Sequence, residues 1–319
     1  MVWKVYSSYG IFGYQQSQGD HTLFIKHSQN SKLILLLVYV DDMIIAGDDK
    51  IEKQTLRERL AAQFEMKDLG KLKYILGIEV VYSRQGIFIS QRKYIFDLLK
   101  ETGKLGGKTT RVLIEKNHRI GNDEENPKVE KTQYQRLVEK LIYLSHSRPN
   151  IAYAVSVASQ FMHNPRERHL QAVNRIIQYL KASPGKGLLF KKGENLSMKV
   201  YMDADYAGSS VDRRSTIGYC MFLGGNLETW RSKKQNVVAI SSAKAEFKVM
   251  AQGVCELLWM KIILDDLKIK YEAPMSLASD NTSAINIAHN PVQHDRTKHV
   301  EIDRHFIKEK LDNGLIVTE

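Results

Sequence analysis

The chain has 319 residues, with 47 Lys and Arg against 36 Asp and Glu, which leaves a formal net charge of +11 and a pI near 9.4. That length predicts about two domains, each able to bury its own core, and the basic balance favours a polyanionic partner such as nucleic acid. Two cysteines, Cys220 and Cys255, exclude a disulfide framework or a multi-cysteine zinc site. Because we find no apolar run as long as a signal-peptide core or a membrane span, we expect a cytoplasmic or nuclear protein that is neither secreted nor membrane-bound.

The first third of the sequence predicts strands around one helix. Apolar runs predict strands at residues 22–25, 33–40 and 43–46, and a later hairpin is expected across residues 83–86. Between them, a segment with helical spacing ends at Gly70, a residue typical of helix C-termini. This order favours an α+β layer in which helices pack on an antiparallel sheet.

Two adjacent aspartates, Asp41 and Asp42, interrupt the apolar run LLLVYVDDMII at the predicted bend between two strands. One interpretation is a turn, because Asp side chains accept hydrogen bonds from nearby backbone N–H groups. The other is a metal site, because two like charges between apolar strands repel each other unless a divalent cation lies beside them. The residues themselves leave both interpretations open.

A helical block follows the polar run at residues 120–131, which predicts a loop or linker. Leucines recur at helical spacing over residues 134–147, and Pro149 is expected to end that helix. The next helix is predicted to begin with Asn164 as its N-cap and Pro165 at its first position.

The last third of the sequence changes to the predicted order βββαβα. A strand at residues 196–208 precedes a hairpin across Gly224-Gly225, and a long amphipathic helix follows at residues 241–267. The next strand turns directly into a helix after Asp280.

Three acids occupy special places in this order: Asp203 within the first strand, Glu246 near the start of the long helix, and Asp280 at the end of a strand. If the two strands are parallel neighbours and the helix crosses the sheet, all three side chains point at one spot beyond the strand ends. Clustered carboxylates of this kind suit two Mg²⁺ ions that activate water and stabilise a leaving oxygen in phosphodiester cleavage.

Several motifs stand in order along nearly the whole chain. They are YVDDMIIAGDD, LKYILGIEV, LIYLSHSRPNIAYAVSVASQFMHNP, YLKASPGKGLLF, YMDADYAGSSVDRRSTIGYC, TWRSKKQ, SSAKAEF, SDNTSAI and HDRTKHVEIDRHFIKE. In content, order and spacing they resemble the Pol polyprotein of copia-type LTR retrotransposons. The resemblance implies a partial reverse-transcriptase palm at residues 1–110, a helical thumb or connection at 111–195, and an RNase H-like domain at 196–319.

The resemblance also implies roles for the acids. Asp41 and Asp42 resemble the metal-binding pair of the polymerase hairpin, and Asp203, Glu246 and Asp280 resemble the catalytic RNase H carboxylates. The implied cofactor is Mg²⁺ or Mn²⁺. The implied partners are an RNA–DNA hybrid or other nucleic acid and other parts of the polyprotein.

A basic, histidine-containing segment lies near the end of the chain. Its histidines do not match ordinary zinc spacings, so a metal site is not favoured there. A surface that contacts phosphates is the better interpretation, and the resemblance supports it. The expected nucleic-acid-binding residues are Arg296, Lys298, His299 and Arg304.

Compared with that family, the chain begins after the palm strand that carries a further metal-binding Asp, and it ends before one more strand and a helix with a fourth RNase H carboxylate. We therefore expect a fragment of a reverse transcriptase and ribonuclease H without polymerase activity and with weak or absent RNase H activity. The alternative is an inactive relic that binds nucleic acid without sequence preference.

Overall fold

The computed structural model describes residues 12–28, 32–114, 120–121, 125–193, 195–209, 211–290 and 301–319. These residues fall into two compact units. The first comprises the described part of Met1–Ile75 together with Leu258–Glu272, and the second comprises that of Leu76–Leu257 and Ala273–Glu319. The predicted division into three domains at residues 110 and 195 stays a prediction.

The first unit is built on a four-stranded antiparallel sheet in the order β1-β2-β3-β4. Its elements are β1 (Gln15–Gln16), β2 (Leu23–His27), β3 (Leu33–Tyr39), β4 (Asp42–Gly47), helix α1 (Lys50–Gln63) and β5 (Tyr74–Ile75). Alternate residues of β3, namely Ile34, Leu36 and Val38, are buried with Leu56 and Leu60 of α1 in one core. The strand period of two therefore gives the sheet an apolar face for the helix.

Helix α1 is shorter than the sequence predicts. It begins after Asp49, whose carboxylate accepts hydrogen bonds from the backbone N–H groups of Ile51 and Glu52. It ends at Gln63 rather than at Gly70, and Phe64 is already extended. Phe64 still packs against the core, but residues 65–70 are exposed and gain no core contact that would favour another helical turn.

The second unit contains a small sheet and a bundle of helices. Its first elements are β6 (Ile78–Ser83), β7 (Gly86–Ser90), α2 (Arg92–Glu101), α3 (Lys131–Ser145), a 3₁₀ turn (Pro149–Ile151), α4 (Ala152–Ser159), α5 (Glu167–Ala182) and β8 (Gly187–Lys191). The predicted hairpin is confirmed by the antiparallel pairing of β6 and β7, and β8 pairs antiparallel with β7. Apolar residues of α2 to α5 form one core, including Ile95, Leu141 and Ile177.

Helix α5 begins later than the sequence predicts. Its N-cap is Arg166 rather than Asn164, and its first residue is Glu167. The backbone pairs there with an earlier segment: Val129 N–H donates to the Pro165 carbonyl oxygen, and Glu167 N–H donates to the Pro127 carbonyl oxygen. These bonds keep residues 165–166 extended, so tertiary pairing overrides the local capping signal.

A five-stranded mixed sheet completes the second unit, in the order β11-β10-β9-β12-β13. The remaining elements are β9 (Met198–Asp205), β10 (Thr216–Leu223), β11 (Asn226–Lys234), α6 (Ser242–Asp266), β12 (Met275–Ala278), α7 (Thr282–His289), α8 (Glu301–Asp312) and β13 (Ile316–Thr318). The end of α6, from Leu258 onward, is assigned to the first unit. Strands β9 to β11 are antiparallel, whereas β12 runs parallel to β9 and to β13. The hairpin across Gly224-Gly225 is confirmed, with both glycines in the left-handed region that such a turn requires.

Helix α6 lies close against this sheet. A Cβ atom at Gly253 would lie 2.4 Å from Met202 Sδ and 3.2 Å from Leu277 Cδ1, so the glycine permits the approach of helix to strands β9 and β12. Phe247, Met250, Val254 and other α6 side chains are fully buried. This packing fixes the helix start relative to the strand ends.

The expectation of a missing last sheet strand is wrong. Ile316–Thr318 forms β13 and pairs in parallel with β12, and Met275 N–H donates to the Leu315 carbonyl oxygen at 3.0 Å. Among the described residues between β12 and β13, the chain forms the helices α7 and α8. The order over the described residues is therefore βββαβααβ, and Ile316 is buried.

In the part of the chain that the structure describes, none of the helices combines the length and the apolar character that crossing a bilayer requires.

Candidate metal centre

Strand β9 carries Asp203 near its carboxyl end. Met198, Val200 and Met202 alternate along the strand and are buried, so Asp203 belongs to the opposite, exposed set. The alternation in the sequence MKVYMDAD is thus enough to leave this carboxylate accessible.

Helix α6 places Glu246 about one turn after its first residue, Ser242. The side chain is buried, with 4% of its residue surface exposed, and its Oε1 accepts a hydrogen bond from the Ala204 backbone N–H at 2.8 Å. Because Ala204 follows Asp203 directly, this bond ties the helix start to the strand that carries the first aspartate.

Asp280 lies just beyond strand β12. That strand is parallel to β9, with Ala278 opposite Tyr201, so the carboxyl ends of the two strands meet at the same edge of the sheet. After Asp280 the chain turns into α7, where the Asn281 side chain accepts from Ala284 N–H at 3.0 Å and caps the helix.

The structure brings these three acids together. One carboxylate oxygen from each of Asp203, Glu246 and Asp280 lies within 4.8 Å of the others, and we call this group the carboxylate centre. Glu246 is buried, whereas Asp203 and Asp280 are exposed. The predicted convergence of the three side chains is confirmed, while their catalytic role stays a prediction.

Burial and charge shift the ionisation of Glu246. Desolvation is the largest cause that raises its pKa, to about 7, and the charges of Asp203 and Asp280 raise it further, while the hydrogen bond from Ala204 opposes the shift. A carboxylate whose charge is this costly gains from a neighbouring cation.

The donor set fits a hard divalent cation. Carboxylate oxygens are the ligands that Mg²⁺ and Mn²⁺ prefer. Glu246 Oε2 is buried and has no hydrogen-bond partner among the described residues, although buried polar atoms nearly always have one. An ion held by these three residues would give this oxygen a partner and would offset the repulsion between the three charges.

The Asp41–Asp42 hairpin is a different kind of site. Asp42 is the first residue of β4, opposite Tyr39, while Val40 and Asp41 form the turn. Both aspartates are exposed, and no cluster of three or more potential metal ligands within the described ranges includes them. The hairpin is confirmed, and the choice between turn formers and metal ligands stays open.

The predicted nucleic-acid-binding residues lie in and next to the segment that leads into helix α8. Arg296, Lys298 and His299 lie outside the described residues. Arg304 is buried in helix α8, and its guanidinium donates to the Asn290 carbonyl oxygen at 2.8 Å. Its observed contact is structural, and a role in contacting phosphates stays a prediction.

Sequence reasoning missed the polar groups that hydrogen-bond Glu246 or the backbone close to it and to Asp203 in the chain. The Ala204 N–H is a backbone donor without a sequence signal. Ser215 and Gln235 are buried polar residues at strand ends, and only their burial reveals them. Short polar residues between predicted elements are normally taken as loop residues.

Residues 4–116 match the family model described as reverse transcriptase (RNA-dependent DNA polymerase). The chain is 38% identical to the retrovirus-related Pol polyprotein from transposon RE1 of Arabidopsis thaliana over 304 residues, which is 95% of this chain and 21% of that polyprotein. It is 33% identical to the corresponding polyprotein from transposon TNT 1-94 of Nicotiana tabacum, over 94% of this chain and 23% of the relative.

The chain therefore belongs to the retrovirus-related Pol polyproteins of copia-type transposons. It spans about a fifth of the length of the curated relatives named above. Among solved structures, it is similar to the foamy viral protease-reverse transcriptase in complex with RNA/DNA hybrid. That similarity has a TM-score of 0.47 at 13% identity, over 89% of this chain and 35% of the other.

Proposed function

We propose that the carboxylate centre binds divalent metal ions and that residues 196–319 form an RNase H-like domain acting on the RNA strand of RNA–DNA hybrids. The observation that carries the proposal is the convergence of three carboxylates from a strand, a helix start and a strand end within 4.8 Å. Ligands in open α/β sheets bind at this edge. The motifs around the three acids resemble those of the RNase H part of copia-type polyproteins.

The chain's own residues have distinct parts in this proposal. Glu246 anchors an ion from inside the protein, because it is buried and its Oε1 is oriented by the Ala204 N–H. Asp203 and Asp280 face solvent and leave a side open to a phosphodiester. When bound, Mg²⁺ or Mn²⁺ supplies charge stabilisation at the phosphoryl group and a water of lowered pKa.

The test is metal binding by the purified chain, followed by hybrid cleavage. We expect Mn²⁺ binding that Asp203→Asn and Asp280→Asn each weaken, and feeble Mg²⁺-dependent cleavage of the RNA strand that both variants abolish. Asp205→Asn is the matched control, because Asp205 is an exposed aspartate on the same strand outside the three-oxygen group. Metal binding that is unchanged in both site variants contradicts the proposal.

Nucleic-acid binding without catalysis is the second candidate, and the net charge of +11 favours it. Neutralising phosphates releases counterions, so we expect the affinity for a duplex or hybrid to fall about tenfold or more between 50 and 200 mM salt. The measurement is a fluorescence anisotropy titration with two unrelated sequences. An affinity independent of salt, or a strong preference for one sequence, contradicts this candidate.

A further inference from the structure

Two buried polar residues connect the strand ends to the start of helix α6. Ser215 precedes β10 and is fully buried, and Gln235 follows β11 with 7% of its surface exposed. The Gln235 backbone N–H donates to the Ser215 carbonyl oxygen at 2.8 Å, one rung beyond the β10–β11 pairing. We call these two residues the Ser215–Gln235 pair.

The side chain of Gln235 contacts the helix directly next to Glu246. Its Nε2 donates to the Ala245 carbonyl oxygen at 3.1 Å, and this bond is buried. The start of a helix lacks the full set of intrahelical bonds and frays easily. The amide therefore fixes the backbone of the turn that carries Glu246.

The side chain of Ser215 contacts the turn that follows β9. Its Oγ accepts a hydrogen bond from the Ala207 N–H at 3.1 Å. Ala207 has a φ of 53°, a left-handed conformation that a residue with a Cβ rarely adopts without support. This turn follows β9, so the Ser215–Gln235 pair holds the backbone just beyond the strand that carries Asp203.

Stability alone does not explain the glutamine. Gln235 Oε1 is buried and has no hydrogen-bond partner in the described part of the chain. Leaving a buried acceptor unpaired is costly, and an apolar side chain of similar shape avoids that cost. The NH₂ group of the amide therefore explains why a glutamine is present, because it donates to the carbonyl oxygen of Ala245, next to Glu246.

We propose that Ser215 and Gln235 are positioning residues for the carboxylate centre: they hold the Ala245–Glu246 backbone against β9 so that Glu246 reaches the Ala204 N–H. This inference rests on the proposed function for its catalytic meaning, although the geometry can be measured without metal. Carboxylates that share an ion tolerate only small displacements, so loosening one of them weakens metal binding more than it weakens the fold.

The experiment compares Gln235→Met with Gln91→Met. Gln91 is the matched control, because it is also buried and its Oε1 accepts a hydrogen bond from Ser147 Oγ at 2.6 Å, away from the acids. Mn²⁺ affinity is measured from the free-ion EPR signal, and amide hydrogen exchange at Ala204 is measured by NMR without metal. Thermal unfolding of both variants reports the general loss of stability.

We expect Gln235→Met to weaken Mn²⁺ binding about tenfold and to speed exchange at Ala204 about tenfold. Gln91→Met should lower the melting temperature at least as much as Gln235→Met, because Gln91 loses a paired acceptor, and should change neither quantity. Gln235→Asn, which keeps the amide but is one methylene too short, serves as a second variant with the same expected direction. Unchanged Mn²⁺ affinity together with unchanged exchange at Ala204 overturns the inference.

The two proposals fail in different ways. If the unmodified chain does not bind Mn²⁺, the proposed function fails, and the exchange rate at Ala204 still decides whether Gln235 positions Glu246. If the chain binds Mn²⁺ and loses it on Asp203→Asn but not on Gln235→Met, the carboxylate centre stands and the positioning role is wrong.

Discussion

The chain has two acidic sites that contrast sharply: the Asp41–Asp42 hairpin in the first unit and the carboxylate centre in the second. The hairpin places two neighbouring residues at an exposed turn. The carboxylate centre takes its three acids from β9, from α6 and from the end of β12, and it buries one of them.

The two sites differ in the electrostatic cost of bringing the acids together. Adjacent residues on an exposed hairpin keep their charges in water, where repulsion is screened and costs little. Acids brought together by packing lose water, and the raised pKa of Glu246 is the consequence. A tertiary cluster therefore has a reason to bind a cation that the adjacent pair, by itself, lacks.

The largest expected effect is on metal binding, and it tests the contrast between the two sites. We expect Asp203→Asn to weaken Mn²⁺ binding about 100-fold, because a charged ligand is lost from a partly desolvated site. Asp41→Asn should change the affinity less than about twofold on the same reasoning about screened charges. Isothermal titration of both variants checks the prediction, and a larger loss from Asp41→Asn reverses the comparison.

A smaller effect concerns stability and pH at Glu246. Its pKa in the folded chain, about 7, is above its ordinary value of 4.5, so the folded state keeps a proton that the unfolded state loses between these pH values. The contribution of Glu246 to the free energy of unfolding is therefore highest below pH 4.5 and falls as the pH rises to about 7.

Glu246→Gln removes that loss while keeping an acceptor for the Ala204 N–H. In EDTA we expect the variant to be about 2 kcal/mol more stable than the unmodified chain at pH 8 and nearly equal to it at pH 4.5. Urea unfolding at both pH values measures the difference. Equal stability of the two chains at pH 8 shows that burying the ionised Glu246 carboxylate does not destabilise the fold.

The Asp41–Asp42 hairpin has a strained backbone, whereas its charges lie in water. Val40 is β-branched, 60% exposed and has a φ of 52°. Replacing it with glycine relieves the left-handed conformation, partly offset by the greater freedom of glycine in the unfolded chain. We expect Val40→Gly to stabilise the chain by about 1 kcal/mol in urea unfolding, and a destabilised variant argues against the left-handed turn.

The smallest effect is expected at Ala207, the left-handed residue in the turn after β9. Ala207→Gly relieves the same conformation but loses a buried methyl group, so we expect the two to cancel within about 0.5 kcal/mol. The Ser215 hydrogen bond uses the backbone N–H and survives the change. A gain as large as that at Val40 shows that burial of this methyl contributes little.

Signals from residues close in the sequence predicted several secondary-structure elements correctly. The hairpins across residues 83–86 and across Gly224-Gly225 follow from turn residues between alternating runs, and both are present. The long helix α6 and the passage from β12 into α7 also lie where the apolar spacing places them. These features depend on residues close together in the sequence, so the sequence alone is enough to predict them.

Tertiary contacts decided the rest. Pairing with residues 127–129 moved the start of α5 to Glu167, and pairing with β12 made residues 316–318 a strand. The same is true at the carboxylate centre: the sequence by itself determined which three acids stand at element ends. Only packing buried Glu246 and brought the Gln235 amide to the carbonyl oxygen of the preceding residue, Ala245. Burial and pairing depend on residues distant in the chain, so the ionisation and orientation of Glu246 could be known only from the folded structure.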